Sequence, residues 1–183
     1  KAEKIGLYIA TSPNNNLRIY SWDSKYGGSM EIYNSLAVFK NSNGKTGFMS
    51  LPIKDGTGGY YYVGINSVKM KDCDNIYLAF GESVESTSER GEQVIAFRIK
   101  DTSLINVIAF KSGEKKFSAI SYYYSTFKWW KKHRVTLPEM HLSKDNQKLF
   151  IPIVAGVYGD EITNKYLIYK WDGNYYVFDK NAK

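Results

Sequence analysis

One short segment carries most of the side chains that could bind a ligand. The segment is Phe127-Lys128-Trp129-Trp130-Lys131-Lys132-His133-Arg134. Indole rings stack on bases or sugar rings, and the cations neutralise phosphate or uronate groups. The candidate ligand-binding residues are therefore Trp129, Trp130, Lys128, Lys131, Lys132 and Arg134. If the segment is a strand, neighbouring tryptophans point to opposite faces, so we expect one in the core and the other exposed.

Two other interpretations of this segment stay open. The same composition suits an anchor at a membrane surface. A run of cations is also typical of a solvated loop that keeps a strand-rich protein soluble. The segment contains four cations, and the whole chain has a net charge of +7. Acidic partners therefore have to be considered. We expect a glycan or a protein as partner and do not expect nucleic acid.

Metal and nucleophile chemistry find little support in the sequence. His133 and His141 are the only histidines, and their separation is not that of a helical zinc pair. Cys73 is the single cysteine, so no disulfide forms within the chain and a catalytic role would need a distant histidine. No flanking motif marks Cys73 as a nucleophile. We therefore expect no cofactor, no metal and no identifiable catalytic residue.

The acidic residues are equally unspecific. A polar stretch from Glu82 to Glu92 holds four glutamates and predicts a long, mobile loop. These glutamates, Glu82, Glu85, Glu89 and Glu92, lack the ordered ligand spacing of a calcium loop. Carboxylates that could hydrolyse a glycan cannot be selected from the sequence. The glycine-rich stretch 55–59 precedes a strand, not the helix that a phosphate cradle needs, and predicts a turn.

The elements around these residues predict an all-β protein. Aromatic residues make up 16% of the chain, and short alternating runs end at Gly, Asn, Asp or Ser. A unit of three strands recurs, beginning at Gly6, Ile76 and Leu149. Further strands are predicted at 48–53, 60–65, 117–124 and 135–142. We expect one domain over 1–183, built from antiparallel β-meander units in a small propeller-like arrangement, with a two-sheet β-sandwich as the alternative.

Two strands are nearly identical in sequence. They are Leu17 to Asp23 and Tyr166 to Asp172, and both end in Trp-Asp. If they are the same strand of a repeated unit, Trp22 and Trp171 occupy equivalent, largely buried positions. In the last hairpin, a two-residue turn at Asp172-Gly173 would place Tyr169 opposite Tyr176.

Three stretches carry a resemblance to known proteins. These are Leu17 to Met30, Ala96 to Ile99 and Tyr166 to Phe178. Together they resemble uncharacterised exported β-rich proteins of gut Bacteroidetes. The resemblance implies a location in the periplasm or on the cell surface, with a lipid anchor supplied by a segment outside this sequence as one option. It implies no known activity. The Trp-Asp endings also resemble propeller repeats of the Trp-Asp type, without that family's Gly-His element.

Three hypotheses of function follow. The leading one is a non-enzymatic binding or interaction module of the cell envelope that uses an exposed aromatic and basic surface. The second is a carbohydrate-active envelope enzyme, and the third is a structural domain of a longer protein. Facing carboxylates in a pocket would favour the enzyme, whereas an aromatic site without acids would favour binding.

Overall fold

The described part of the chain folds mainly into antiparallel β-sheet, as its sequence predicts. The computed structural model describes residues 6–41, 43–53, 58–71, 75–133, 136–156 and 160–181. In these residues fifteen strands form three sheets, and there is one short helix. The sheets do not close into a propeller or barrel within the described part of the chain, and there are three of them where the sandwich alternative has two.

The first sheet is a four-stranded meander. Its strands are β1 (Leu7–Thr11), β2 (Leu17–Asp23), β3 (Tyr33–Lys40) and β4 (Thr46–Leu51), in that spatial order. In β3 every second residue is buried, from Tyr33 to Phe39. This alternation is expected of an antiparallel sheet with only one face against the core.

The middle sheet is built around two long central strands. Its strands are β5 (Tyr61–Val68), β6 (Ile76–Val84), β7 (Glu89–Lys100), β8 (Ser103–Asn106) and β11 (Ala119–Ser125). One edge of β7 pairs with β6, and the other is shared by β11 and β8. A seven-residue helix, α1 (Thr126–Lys132), follows β11, and the Ser125 side chain caps it by accepting the N–H of Lys128.

The third sheet has six strands. These are β9 (Phe110–Ser112), β10 (Lys115–Phe117), β12 (His141–Leu142), β13 (Lys148–Ala155), β14 (Glu161–Trp171) and β15 (Tyr176–Phe178). Strands β12 to β15 form a second meander of four, which β9 and β10 extend beyond β15. The β15–β9 pair is parallel. Only the end of the predicted strand 135–142 is a strand, and Val135 lies outside the described residues.

The middle sheet lies between the other two and is buried on both faces. Tyr77, Ala79 and Phe97 pack with the first sheet. Leu78, Val94 and Ala96, which alternate with them, pack with the third sheet. A strand buried on both faces needs a nearly continuous apolar run, and Ile76 to Phe80 at the start of β6 provides one.

The two outer meanders share a turn but bury opposite faces. The Leu17 N–H donates to Ser12 Oγ at 3.0 Å, and the Lys148 N–H donates to Ser143 Oγ at 2.9 Å. The turns therefore align Leu17 with Lys148. Leu17 is buried and Lys148 is exposed. Because both sheets pack against the middle one from opposite sides, equivalent strands turn opposite faces toward the core.

This stacking overturns the prediction for the two Trp-Asp strands. Strand β2 is second in its meander, whereas β14 is third. Strand β2 buries Leu17 and Ile19 and leaves Trp22 41% exposed. Strand β14 buries Tyr169 and packs Trp171 against Tyr176, with 4.9 Å between ring centroids. The similar sequences therefore serve different positions, and the expectation of a largely buried Trp22 is wrong.

The last hairpin is two residues out of its predicted register. Tyr169 pairs with Phe178 and Trp171 pairs with Tyr176, so the loop has four residues instead of two. The Asp172 carboxylate explains the wider loop, because it accepts the N–H groups of Asn174 at 2.8 Å and Tyr175 at 2.7 Å. A shift of two residues keeps side chains on their faces, so Tyr169 and Tyr176 still lie on the same face of the sheet.

Stability should depend mainly on the middle sheet. Leu78 is fully buried between the middle and third sheets, so Leu78→Ala leaves a cavity. We expect the substitution to lower the free energy of unfolding by about 3 kcal/mol. Urea denaturation measures this change. Phe48→Ala, at a side chain that is 78% exposed, is the control and should change stability by less than about 0.5 kcal/mol. Equal losses in the two variants would contradict the proposed core.

Candidate functional site

The aromatic and basic segment predicted to bind ligand forms helix α1 instead of a strand. Trp129 is only 4% exposed and packs with Tyr124 and Ile162. Trp130 is 50% exposed. The expected division into one core and one exposed tryptophan is confirmed, although a helix produces it. Only one of the two indoles therefore presents its surface to solvent.

The cations of this segment are partly neutralised by two acids that begin β14 or precede it. Lys128 Nζ lies 2.5 Å from an Asp160 carboxylate oxygen, and Lys132 forms an ion pair with Glu161. Lys131 is exposed, and Arg134 lies outside the described residues. Ligand binding by this segment stays a prediction, but two of its cations have partners within the fold.

A cleft of about 420 Å3 opens between the first and middle sheets. We call it the interface cleft. Its lining residues come from both sheets and from residues 52, 53, 59 and 60. They include Ser35, Met49, Leu51, Tyr60, Tyr62, Gln93, Ile95, Phe97, Asn106, Ser121 and Tyr123. Apolar walls with a few polar side chains are typical of ligand pockets.

Buried serines hold the two sheets together beside the cleft. Ser35 Oγ lies 2.8 Å from Ser21 Oγ and 3.0 Å from the Tyr60 carbonyl oxygen. The Tyr62 N–H donates to Ser21 Oγ at 3.2 Å. These bonds join β2, β3 and β5, so the cleft walls are fixed by the same contacts that close the sheet interface.

The polar groups of the interface cleft are uncharged. Gln93 and Asn106 supply amides, and Ser121 supplies a hydroxyl. The Tyr60 and Tyr123 hydroxyl oxygens lie 3.1 Å apart. Burial is the main cause that raises the pKa of Tyr60, and this hydrogen bond is the second. Among the described residues, no carboxylate or cation lines the cleft. The site therefore favours a neutral ligand with hydrogen-bonding groups.

A second recess, of about 250 Å3, lies at the end of the middle sheet. We call it the acidic recess. Its lining includes Glu82, Arg90, Glu92, Tyr124, Trp130 and Glu139. The loop predicted from Glu82 to Glu92 is wrong: β6 continues to Val84 and β7 begins at Glu89. The hairpin places Glu82 directly opposite Glu92.

Glu92 is a buried carboxyl with defined partners. It is 5% exposed. One oxygen accepts the Met140 N–H at 2.7 Å, and the other lies 3.3 Å from the Tyr124 hydroxyl. Burial raises the pKa of Glu92 to about 7, against these hydrogen bonds. Glu82 accepts a hydrogen bond from the Tyr61 hydroxyl at 2.5 Å. The recess thus pairs an acid that is hard to ionise with a second carboxyl.

The other candidate residues are not brought together. The His133 ring lies 4.3 Å from the Trp129 ring, and the His141 ring stacks on Phe150 at 4.9 Å. Cys73 and residues 55–57 lie outside the described residues. Within the described ranges, no three His, Cys, Asp or Glu side chains form a group that could hold a metal ion. Nor does any helix there have the length and apolarity needed to cross a membrane.

Sequence reasoning missed both cavities for different reasons. The interface cleft draws on several strands of two sheets, so no local pattern marks it. The acidic recess had a signal: Glu82 and Glu92 lie symmetrically about residue 87, as cross-strand partners in a tight hairpin do. The polar composition of the stretch from Glu82 to Glu92 is typical of a loop, so the strands were not recognised.

Ionisation of Glu92 should make stability depend on pH. A carboxyl whose folded pKa lies above its ordinary value of 4.5 binds its proton more tightly in the folded chain. Stability should therefore be lost as pH rises from about 4.5 to about 7, by up to about 3 kcal/mol. We expect Glu92→Gln, which stays neutral and can still accept the Met140 N–H, to remove this part of the pH dependence. Urea denaturation of both proteins across this range measures it. Parallel pH profiles would contradict the buried carboxyl.

Comparison with known proteins does not assign the chain to a family. No protein-family model matches it, and neither a curated protein nor a solved structure matches it. Its function must therefore be inferred from the interface cleft, the acidic recess and the surfaces around them.

Proposed function

We propose that the chain is a non-enzymatic binding module whose ligand occupies the interface cleft. The observation that carries this proposal is a cleft of about 420 Å3 with apolar walls and neutral polar groups. Ligand pockets in proteins commonly have volumes of about 300–1,000 Å3. Acid–base catalysis needs a titratable group near the reacting atoms. Among the described residues that line the cleft, only tyrosines are titratable.

A short neutral glycan is the ligand that fits this lining best. The amides of Gln93 and Asn106 and the hydroxyl of Ser121 can exchange hydrogen bonds with sugar hydroxyls. The side chains of Tyr62, Ile95 and Phe97 can cover the apolar face of a sugar ring, which removes apolar surface from water. A charged ligand would lose its hydration without gaining a counter-ion.

The proposed setting is the bacterial cell envelope, in the periplasm or at the cell surface. What supports this setting is the resemblance, suggested by the sequence, of Leu17 to Met30, Ala96 to Ile99 and Tyr166 to Phe178 to uncharacterised exported proteins of gut Bacteroidetes. A module that binds a neutral glycan would meet its ligand there. Fractionation of cells that express the full-length protein would test the location.

We further propose that the three sheets are successive units of a propeller-like stack. The shared serine turns at Ser12 and Ser143 support equivalent units. The opposite buried faces of β2 and β13 are also expected when equivalent sheets are stacked in the same direction. Residues 110–132 are additional to these units: β9 and β10 extend the third sheet, β11 extends the middle sheet and α1 follows β11.

A carbohydrate-active enzyme is the second candidate function. The observation that favours it is the pairing of Glu92, whose pKa burial raises to about 7, with Glu82 on the neighbouring strand. Glycoside hydrolysis uses one protonated and one ionised carboxyl group on either side of the scissile bond. Trp130, half-exposed beside the recess, offers a ring on which a sugar can stack.

Blocking the interface cleft should abolish glycan binding. Ser121 is exposed and lines the cleft, so Ser121→Trp fills space that the ligand needs. We expect at least one of the neutral cello-, xylo-, malto- or manno-hexasaccharides to bind the native chain in calorimetric titration. The substitution should weaken that binding by more than about tenfold, because the ring sterically excludes the sugar.

Ser103→Trp is the matched control, because Ser103 is exposed on β8 and does not line the cleft. It should bind as the native chain does. Absence of binding to every hexasaccharide, or native affinity in Ser121→Trp, would reject the proposal. Cleavage of a hexasaccharide that is lost in both Glu82→Gln and Glu92→Gln would establish the enzyme instead.

A further inference from the structure

The outer face of the first sheet is a surface on which none of the other described strands packs. Its apolar side chains project away from the middle sheet and include Leu7, Ile9, Tyr20, Trp22, Leu36, Val38 and Phe48. Ile9 is 45% exposed, Trp22 41% and Phe48 78%. Exposed apolar side chains that lie together on one face often mark an interaction site.

The charges of this outer face are all positive. Strand pairing places Arg18 beside Val38 and Thr11, and Lys40 beside Thr46. Neither cation forms an ion pair with a carboxylate of the described residues. The four strands of the sheet place no acid on this face.

A cavity of about 300 Å3 lies between these two cations. We call it the Arg18–Lys40 cavity. Its lining is completed by Asn15, Asn16, Tyr20, Val38, Phe39 and Thr46. It therefore combines two positive charges, amide and hydroxyl groups, and an aromatic ring, and no carboxylate of the described residues lines it.

Two hydroxyl groups orient the Arg18 side chain. Its Nε donates to Thr11 Oγ1 at 3.0 Å, and its Nη1 donates to the Tyr20 hydroxyl oxygen at 3.4 Å. A guanidinium has five N–H donors, so three are left for a ligand. A planar guanidinium held in this way suits two parallel hydrogen bonds to a carboxylate or sulfate group.

The turn that supplies Asn15 and Asn16 is fixed by the fold. Ser12 is buried, and its hydroxyl donates to Asn14 Oδ1 at 2.8 Å. Asn14 Nδ2 in turn donates to the Tyr77 hydroxyl oxygen on the middle sheet at 3.0 Å. The Lys40 N–H donates to the Asn16 carbonyl oxygen at 2.9 Å. The cavity is therefore largely formed before a ligand binds, which lowers the entropic cost of binding.

We propose that the Arg18–Lys40 cavity binds an anionic sugar unit, a uronate or a sulfated residue of an acidic glycan. The two cations would hold the anionic group, and the Asn and Thr side chains would bind neighbouring hydroxyls. Tyr20 and Trp22 lie two residues apart on the same outer face, so they can carry the next sugar rings along the strand.

The small number of charges favours a sugar over nucleic acid. Phosphate backbones are held by many cations along a track, whereas the outer face of the first sheet offers Arg18 and Lys40 among apolar side chains. The cavity is separate from the interface cleft. Residues such as Ser35 and Leu51 face the cleft, and Val38 and Thr46 lie on the opposite face of the same sheet. The anionic site is thus independent of the proposed neutral-glycan function.

Calorimetric titration with two acidic hexasaccharides, hexagalacturonate and a heparin hexasaccharide, tests the proposal. We expect at least one to bind, with an affinity that falls as salt is added. Arg18→Gln combined with Lys40→Gln should weaken this binding by about tenfold or more, because both charge-assisted contacts are lost. Circular dichroism and the melting temperature establish that the double variant is folded.

The matched control removes the same charge elsewhere. Lys111 and Lys148 lie on the outer face of the third sheet, and Lys111→Gln with Lys148→Gln should change affinity by less than about twofold. Equal losses in both double variants, or no binding by the native chain, would overturn the site. Tighter binding of a thymidine hexanucleotide, lost in the Arg18–Lys40 double variant, would overturn its assignment to sugars. Ser121→Trp should bind the acidic hexasaccharides normally, so failure here and failure of the interface cleft are distinguishable.

Discussion

Burial of the middle sheet on both faces is the constraint on which the rest of the structure depends. Strand β6 has to supply Tyr77 and Ala79 to one core and Ile76 and Leu78 to the other. Each outer sheet can then leave one face exposed, because it has to bury only the face that packs against the middle sheet. The stack also decides which face is left free. In the first sheet it is the face of Tyr20 and Trp22, whereas in the third it is the face that carries Phe150 and Ile168.

The same double burial has an electrostatic consequence at the end of the sheet. Glu82 and Glu92 continue the strands of the middle sheet beyond its apolar part, and they lie directly opposite each other. Two ionised carboxylates in this position would repel each other. Burial of Glu92 relieves the repulsion, because it raises the pKa of this carboxyl to about 7 and keeps the neutral form populated. Tyrosine hydroxyls and the Met140 N–H satisfy the carboxyl oxygens, so an acidic pair is tolerated inside a fold of net positive charge.

Local pattern was enough to predict the apolar strands but not the faces that they bury. The runs at Ile76 to Phe80 and Leu149 to Val154 are strands because apolar residues bounded by polar turns have few alternatives. Which side of β2 is buried depends on where the sheet lies in the stack, which its seven residues do not encode. Polar hairpins were misjudged for a related reason: the strands around Glu82 and Glu92 are stabilised by cross-strand partners that are distant in sequence. The interface cleft could not be predicted, since its walls meet only after two sheets have packed.

The charge of +7 has a different meaning once its positions are known. In the sequence, cations are most densely grouped in the segment that forms helix α1. In the fold, however, Lys128 and Lys132 pair with Asp160 and Glu161. The density of cations along the sequence is a poor measure of the electrostatic potential at the surface, because folding can bring acids that are distant in sequence to a basic segment. Arg18 and Lys40 are 22 positions apart and gave no signal in the sequence. Strand pairing brings them to one cavity, on a face where the four described strands place no acid. Neither Arg18 nor Lys40 forms an ion pair with a carboxylate of the described residues, so both charges can attract an anion.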